Sequence, residues 1–389
     1  MIVSERGRRM SGSLALPESF AVPGDAAGRL AAREHVEAPH PYRSPYQRDR
    51  ARIIHSRAFR RLAGKTQVFT DRYSDHFRSR LTHTMEVAQI ARTVSGSLGL
   101  NEDLAEALAL VHDIGHPPFG HSGEYALNDA LAEHGMQFDH NLHALRIVEY
   151  FEQRYVGFRG LNLTLAVREG IVKHSRDYRA AEHPELRAYS LDKRPPLEAQ
   201  LIDVADEIAY TTADFDDGLE SGILRLEDIR EHVPLLERFY GPMERAHPAA
   251  AAKLVFNEAL KLMLNAMVSD LLAETHRRVA DAGIIDLEGV RDAAVRVAGF
   301  SAAMEAERVA AKRYLHARLY NSDDLAHDRQ QATLVITDLF AAYLGDPGLL
   351  PAGHEARVEA EGLARVVADY IAGMTDNYIL AQHRRLCGS

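Results

Sequence analysis

The 389-residue chain has a single cysteine, Cys387, which excludes a disulfide framework and a cysteine-based zinc site. Any metal must be held by histidine and carboxylate. Apolar runs are short: none approaches the roughly 18 residues that a membrane span needs. The N-terminus also lacks the apolar stretch of a secretory signal, so the chain reads as cytoplasmic, with no membrane partner. Strand-like alternation recurs too rarely to suggest a sheet. An overall positive charge is missing as well, and the formal net charge of -10 argues against a protein that coats nucleic acid over its whole surface.

What is present is a 46% hydrophobic fraction, enough to bury a large core in two or three domain equivalents or one elaborated helical domain. Residues 1 to about 40, rich in Gly, Ala, Pro and Ser, read as a poorly ordered, flexible arm. Helical periodicity follows at roughly 46–63, 79–98, 102–113, 123–134, 140–154, 163–174 and 196–216, then near 249–281, 286–297, 301–320, 328–344 and 354–376. The fold class is all-α. Between Arg176 and Pro196, the prolines Pro184, Pro195 and Pro196 mark the most loop-like interior stretch. From Arg43 to Lys65, eight basic residues stand against one acid, Asp49. Such a segment either faces an anion or is a solvated helix face.

The chemistry concentrates between Val111 and Glu124. Helix 102–113 opens on Asn101 as N-cap, with Glu102 and Asp103 in its first turn, and runs through Leu104, Ala107, Leu108 and Val111 into His112-Asp113. Gly115 and Pro117-Pro118 then break it. An apolar helix thus delivers an adjacent imidazole and carboxylate to its buried end, where desolvation is costly without a partner. A divalent cation is the natural one, and nitrogen with oxygen donors suits Mn, Mg, Co, Fe, Ni or Zn. The bland alternative is an aspartate capping its own turn beside a buried histidine.

His83, on the helix that Ser79 opens, is by itself an ordinary helical histidine. On helix 196–216, Asp203, Asp206, Tyr210 and Asp214 share one face, and the spacing does not decide whether Asp203 or Asp206 reaches an ion. His121 and Glu124, three apart at a helix start, read either as an acid–base pair or as a helix-start charge beside a solvent-facing histidine. Gly64-Lys65-Thr66 ends like a phosphate-binding loop, but Phe59 stands where that motif requires glycine. Nucleophile-elbow, dinucleotide and H-E-x-x-H patterns are all missing, so covalent catalysis is not indicated.

These residues in series, His83, His112-Asp113 and a later aspartate, resemble the ligand set of the HD-domain metal-dependent phosphohydrolases. More narrowly, the chain is similar to the deoxyguanosine-triphosphate triphosphohydrolases, through Ser56–Leu62, Gly64–Phe69, Arg80-Leu81-Thr82-His83, His112–Glu124, Phe138-Asp139-His140-Asn141 and Asp206–Tyr210. The resemblance implies an HD core over 41–225 and a C-terminal helical region over 226–389 that completes the nucleotide pocket and the oligomer contacts. It selects Asp206 over Asp203 as the last metal ligand, with His83, His112 and Asp113 the others. It also implies His121 and Glu124 as the catalytic pair, His116 and His140 near the phosphates, Arg80 on the substrate, and Tyr210 and Asp214 at the sugar. Weaker downstream matches add Lys312, His316, Tyr320 and Asn321 to the nucleotide pocket.

The implied reaction converts a deoxynucleoside triphosphate, dGTP by default, to deoxynucleoside and inorganic triphosphate. Implied partners are a nucleotide effector, single-stranded nucleic acid at the basic segment, and further copies of the chain in a homo-oligomer such as a hexamer. Two other readings fit the residues: an HD phosphohydrolase acting on another nucleotide or a monophosphate, and a nucleotide- or DNA-responsive binding protein that retains the metal site.

Overall fold

The computed structural model describes residues 14–26, 28–69 and 76–388, and among them every regular element is helical. Three helices form the centre: α1 (Arg80–Leu98), α2 (Glu102–Val111) and α3 (Leu197–Glu220). Ser79 caps α1 by accepting from Thr82 N, and Gly99, at φ 73°, ends it in the left-handed conformation that glycine takes without strain. Asn101 caps α2 at Leu104 N, 3.1 Å. In α2, residues Leu104, Ala105 and Ala107 through Val111 are all buried. Its alanines let α1 and α3 pack closely on it.

Around this centre the core runs from Leu16 to Leu325 as one contiguous cluster. A second cluster joins α4 (Gly120–Ala132) to α5 (Asp323–Gly345) and α6 (Leu363–Ala372). The apolar packing therefore does not divide at residue 225, because Phe215, Tyr240 and Phe256 share one core.

Residues 14–40 correct the expectation of a loose arm over the part of it that is described. Leu16, Phe20 and Val22 are buried, Leu16 N bonds Leu98 O at 2.9 Å, and Val22 N bonds the buried Glu198 at 2.9 Å. Three apolar anchors outweigh the composition around them. Residues 1–13 of the expected arm lie outside the described residues.

The helix expected over 46–63 is two, Pro45–Ile54 and Arg57–Arg61, because Ser56 accepts from Phe59 N at 3.0 Å and restarts the chain as a new N-cap. Residues 354–376 likewise split at Gly362, whose φ of 85° no continuing helix admits. The helix expected over 286–297 stops at Arg291, which frees Arg296 to reach back to α3. That over 301–320 ends in a π-turn at His316–Tyr320.

One glycine fixes the site's shape. A Cβ on Gly115 would lie 1.9 Å from His140 O and 2.6 Å from Ala144 N, so the turn after α2 lies directly against the helix α7 (His140–Arg146). Gly115→Ala is expected to push that helix away and destabilise the protein by about 1–3 kcal/mol. Denaturant unfolding checks this, and an unchanged midpoint refutes the close approach.

Candidate metal centre

The end of α2 carries His112 and Asp113 into the middle of the fold, where α1 supplies His83 and α3 supplies Asp206. His83 Nε2 lies 2.7 Å from Asp206 Oδ1. His112 Nε2 is 3.5 Å from Asp113 Oδ1 and 3.8 Å from Asp206 Oδ1. His83, His112 and Asp113 are buried.

The protonation pattern favours a cation. His112 Nδ1 sits 2.6 Å from Ala109 O, and an imidazole nitrogen facing a carbonyl must be the donor, so Nε2 keeps its lone pair. That nitrogen is buried and has no hydrogen-bond partner. Burial also pulls the His112 imidazole below its usual range, which keeps it neutral. Burial would raise both aspartates, but the Arg80 charge leads what outweighs it at Asp113, and the His83 hydrogen bond outweighs it at Asp206, which falls to about 2. Two ionised carboxylates around an orphaned imidazole nitrogen fit a divalent cation.

A second layer lies beside this set. Arg80 Nη1 donates to Asp113 Oδ2 at 2.7 Å. His116 Nδ1 is 3.0 Å from Asp113 Oδ1, though off the line of a formed hydrogen bond, and burial followed by the Arg80 charge holds it neutral. His116 stacks on His140, with ring centroids 4.0 Å apart. Glu124 Oε1 accepts from both His140 Nδ1 at 2.8 Å and His140 N at 3.2 Å. His121 Nδ1 stands 3.7 Å from Glu124 Oε2, and its side chain is 73% exposed. The expected pair is thus brought together as a trio in which His140 holds Glu124 more tightly than His121 does.

The remaining residues lie farther along α3. Glu207 accepts from Tyr210 at 2.7 Å and Lys312 at 3.0 Å, and pairs with Arg308. An opening of about 400 Å³ is lined by Asp206, Glu207, Tyr210, Arg176 and Lys312 among others. Tyr320 donates to Asp214, whose carboxyl burial pushes up to about 7. His316 and Asn321 pair with one another at 3.0 Å.

Of the eight basic residues in 43–65, Arg48 and Arg52 pair with Glu37, Arg50 pairs with Glu106, and Lys65 is buried. Arg43, Arg57, Arg60 and Arg61 are exposed.

Sequence reading missed two groups. His174, at the end of the helix α8 (Leu165–Val172), comes within 4.8 Å of ligand atoms of His112 and Asp206, and no local pattern announces it. The other is Asp376, which accepts from Thr66 N at 2.8 Å, from Thr66 Oγ1, and from Phe119 N at 3.0 Å. Phe119 is held at φ 62° where α4 begins, with no side-chain cap of its own, and a carboxylate 257 positions away takes its N–H and fixes the entry to the helix.

Lys65 lies beside this clamp and donates to His116 O at 2.5 Å and Ala372 O at 2.9 Å. Burial pushes its ammonium down to about 7 from an ordinary 10.5. Between those values the unfolded chain binds more protons than the folded one, so stability rises with pH from about 7 towards 10.5. Below about 7 the lysine is charged in both states and adds no slope. Urea unfolding from pH 7 to 9 is expected to show a rise that Lys65→Met flattens, and equal slopes in the two proteins contradict it.

Comparison with known proteins agrees with this layout. Residues 80–211 match the HD domain model, and residues 298–385 match the phosphohydrolase-associated domain. The chain is similar to the deoxyguanosinetriphosphate triphosphohydrolase-like protein of Thiobacillus denitrificans, at 47% identity over 95% of this chain and 97% of that one. It is similar to that of Ralstonia nicotianae at 45% over 95% and 97%, and to that of Brucella suis at 45% over 94% and 93%. None of the described helices is long and apolar enough to cross a membrane.

Proposed function

The chain belongs to the deoxyguanosinetriphosphate triphosphohydrolase-like family of HD-domain proteins, and from that premise we propose that it hydrolyses deoxynucleoside triphosphates, dGTP first, releasing inorganic triphosphate intact. Membership makes it a metal-dependent phosphohydrolase. The finer reading is supported above all by one observation: the buried, unpartnered Nε2 of His112 between Asp113 and Asp206, with Arg80 and His116 against Asp113 and His140 stacked on His116.

His83, His112, Asp113 and Asp206 would hold the ion. When bound there, a divalent cation supplies Lewis-acid polarisation of a phosphoryl oxygen and acidifies a water. Arg80 and the neutral His116, with His140 stacked upon it, orient the phosphates. Arg80 offsets charge that grows on the leaving triphosphate. His121, exposed and facing the Glu124 carboxylate, transfers the proton at the scissile P–O bond. Tyr210 and Asp214 contact the sugar, while Lys312 and Tyr320 close the nucleotide pocket.

A panel of the four dNTPs with Mn, Mg or Co, with and without a second nucleotide, tests this reading. Deoxynucleoside and intact triphosphate are expected in equal amounts. Pyrophosphate or phosphate as the first inorganic product overturns it.

A further inference from the structure

His174 has no part in the reaction as outlined, yet it is buried against the ion-binding set. Its ring meets that of His112 edge-on, with centroids 5.2 Å apart. One of its nitrogens falls within 4.8 Å of ligand atoms of His112 and Asp206. On its other side, His174 Nδ1 is 2.7 Å from Asp203 Oδ1, although the angle is poor for a hydrogen bond. A ring nitrogen and a carboxylate oxygen so close need a proton between them, which places it on Nδ1 and leaves Nε2 as the nitrogen that can offer a lone pair once an ion takes the place of any proton there.

Asp203 is itself fixed. Its Oδ1 accepts from Ser175 N at 2.9 Å, and its Oδ2 takes the guanidinium of Arg296. Arg296 is anchored in turn on Lys173 O at 2.8 Å. Both oxygens are thus held by partners away from the ion-binding set. Asp203 is placed as the carboxylate that sets a histidine's tautomer and ring plane, an arrangement that recurs behind metal-bound imidazoles.

We propose that His174 is a fifth protein ligand of the ion, through Nε2, with Asp203 as its positioning carboxylate. This rests on the reading of His83, His112, Asp113 and Asp206 as the metal set and extends it to three imidazoles and two carboxylates. Such a set suits a transition ion of coordination number above four better than magnesium, which favours oxygen donors and bound water.

The test uses the full chain stripped of metal with a chelator and then titrated with Mn(II) by calorimetry, with Co(II) visible absorption as a second readout. Wild type is expected to take one Mn(II) per chain. His174→Ala should weaken Mn(II) binding at least about 10–100-fold, and Asp203→Asn by about 10-fold, and each should change the Co(II) spectrum. His174→Gln, closer in size, serves if the alanine variant does not fold. Wild-type affinity and an unaltered Co(II) spectrum in a folded His174 variant overturn the proposal. So does a wild type with two Mn(II) per chain of which the variant loses only one. A folded wild type that binds no Mn(II) overturns instead the metal reading on which the proposal stands.

Discussion

Asp113→Ala is expected to leave a protein with neither bound metal nor measurable turnover. The carboxylate works in two directions at once, since its Oδ2 takes Arg80 at 2.7 Å while its Oδ1 faces His112 Nε2 at 3.5 Å. Removing it takes away a proposed ligand of the ion and strands a buried guanidinium beside two buried imidazoles. Breaking a buried pair from one side costs about 3–5 kcal/mol, so the variant should also melt early. His112→Ala separates these effects, because it removes a ligand without orphaning a charge. It should lose metal and turnover with a smaller drop in stability. Metal content by mass spectrometry, beside a melting curve for each variant, decides the matter. Full metal content in folded Asp113→Ala would remove that residue from the ligand set.

How far the sequence reveals this site depends on how local the determinants are. The helix Arg80–Leu98 is announced by Ser79 and closed by Gly99, and Glu102–Val111 by Asn101, so both were readable to within a residue or two. The apolar run into His112-Asp113 announced a buried polar end by itself. The choice between Asp203 and Asp206 was not readable from spacing. The two lie on the same face of one helix, and what separates them is Arg296, 93 positions downstream, which captures Asp203. That arginine is free to do so only because the expected helix over 286–297 ends at Arg291. His174 and Asp376 were invisible for the same reason: each acquires its role from partners brought up by the fold, and no periodicity records such a meeting. Composition misleads at the described part of the first forty residues because it speaks of average tendency, while Leu16, Phe20 and Val22 act as individual buried anchors.

Glu124→Gln should retain the metal and the fold yet lose about 10²–10⁴-fold in kcat. The amide keeps an oxygen for His140 N but withdraws the negative charge. That charge is firmly held. Burial favours the neutral acid, but the imidazoles of His121 and His140 outweigh it and keep the carboxyl well below the usual carboxylate range. An anion fixed beside His121 stabilises the imidazolium that must exist while the proton is in transit, and glutamine cannot do so. The 3.7 Å separation of His121 from Glu124 is no objection, since catalytic hydrogen bonds are often long before substrate arrives. If the two act as a unit, as proposed, His121→Asn with Glu124→Gln should be hardly slower than either alone. A fall equal to the product of the two single losses would mean independent roles. The closer contact of Glu124 with His140 makes a sharper comparison. If Glu124 served chiefly to hold His140 on the phosphates, Glu124→Gln and His140→Ala would raise KM together and spare kcat. A loss confined to kcat in Glu124→Gln, with KM and metal content unchanged, places the carboxylate in the proton transfer itself.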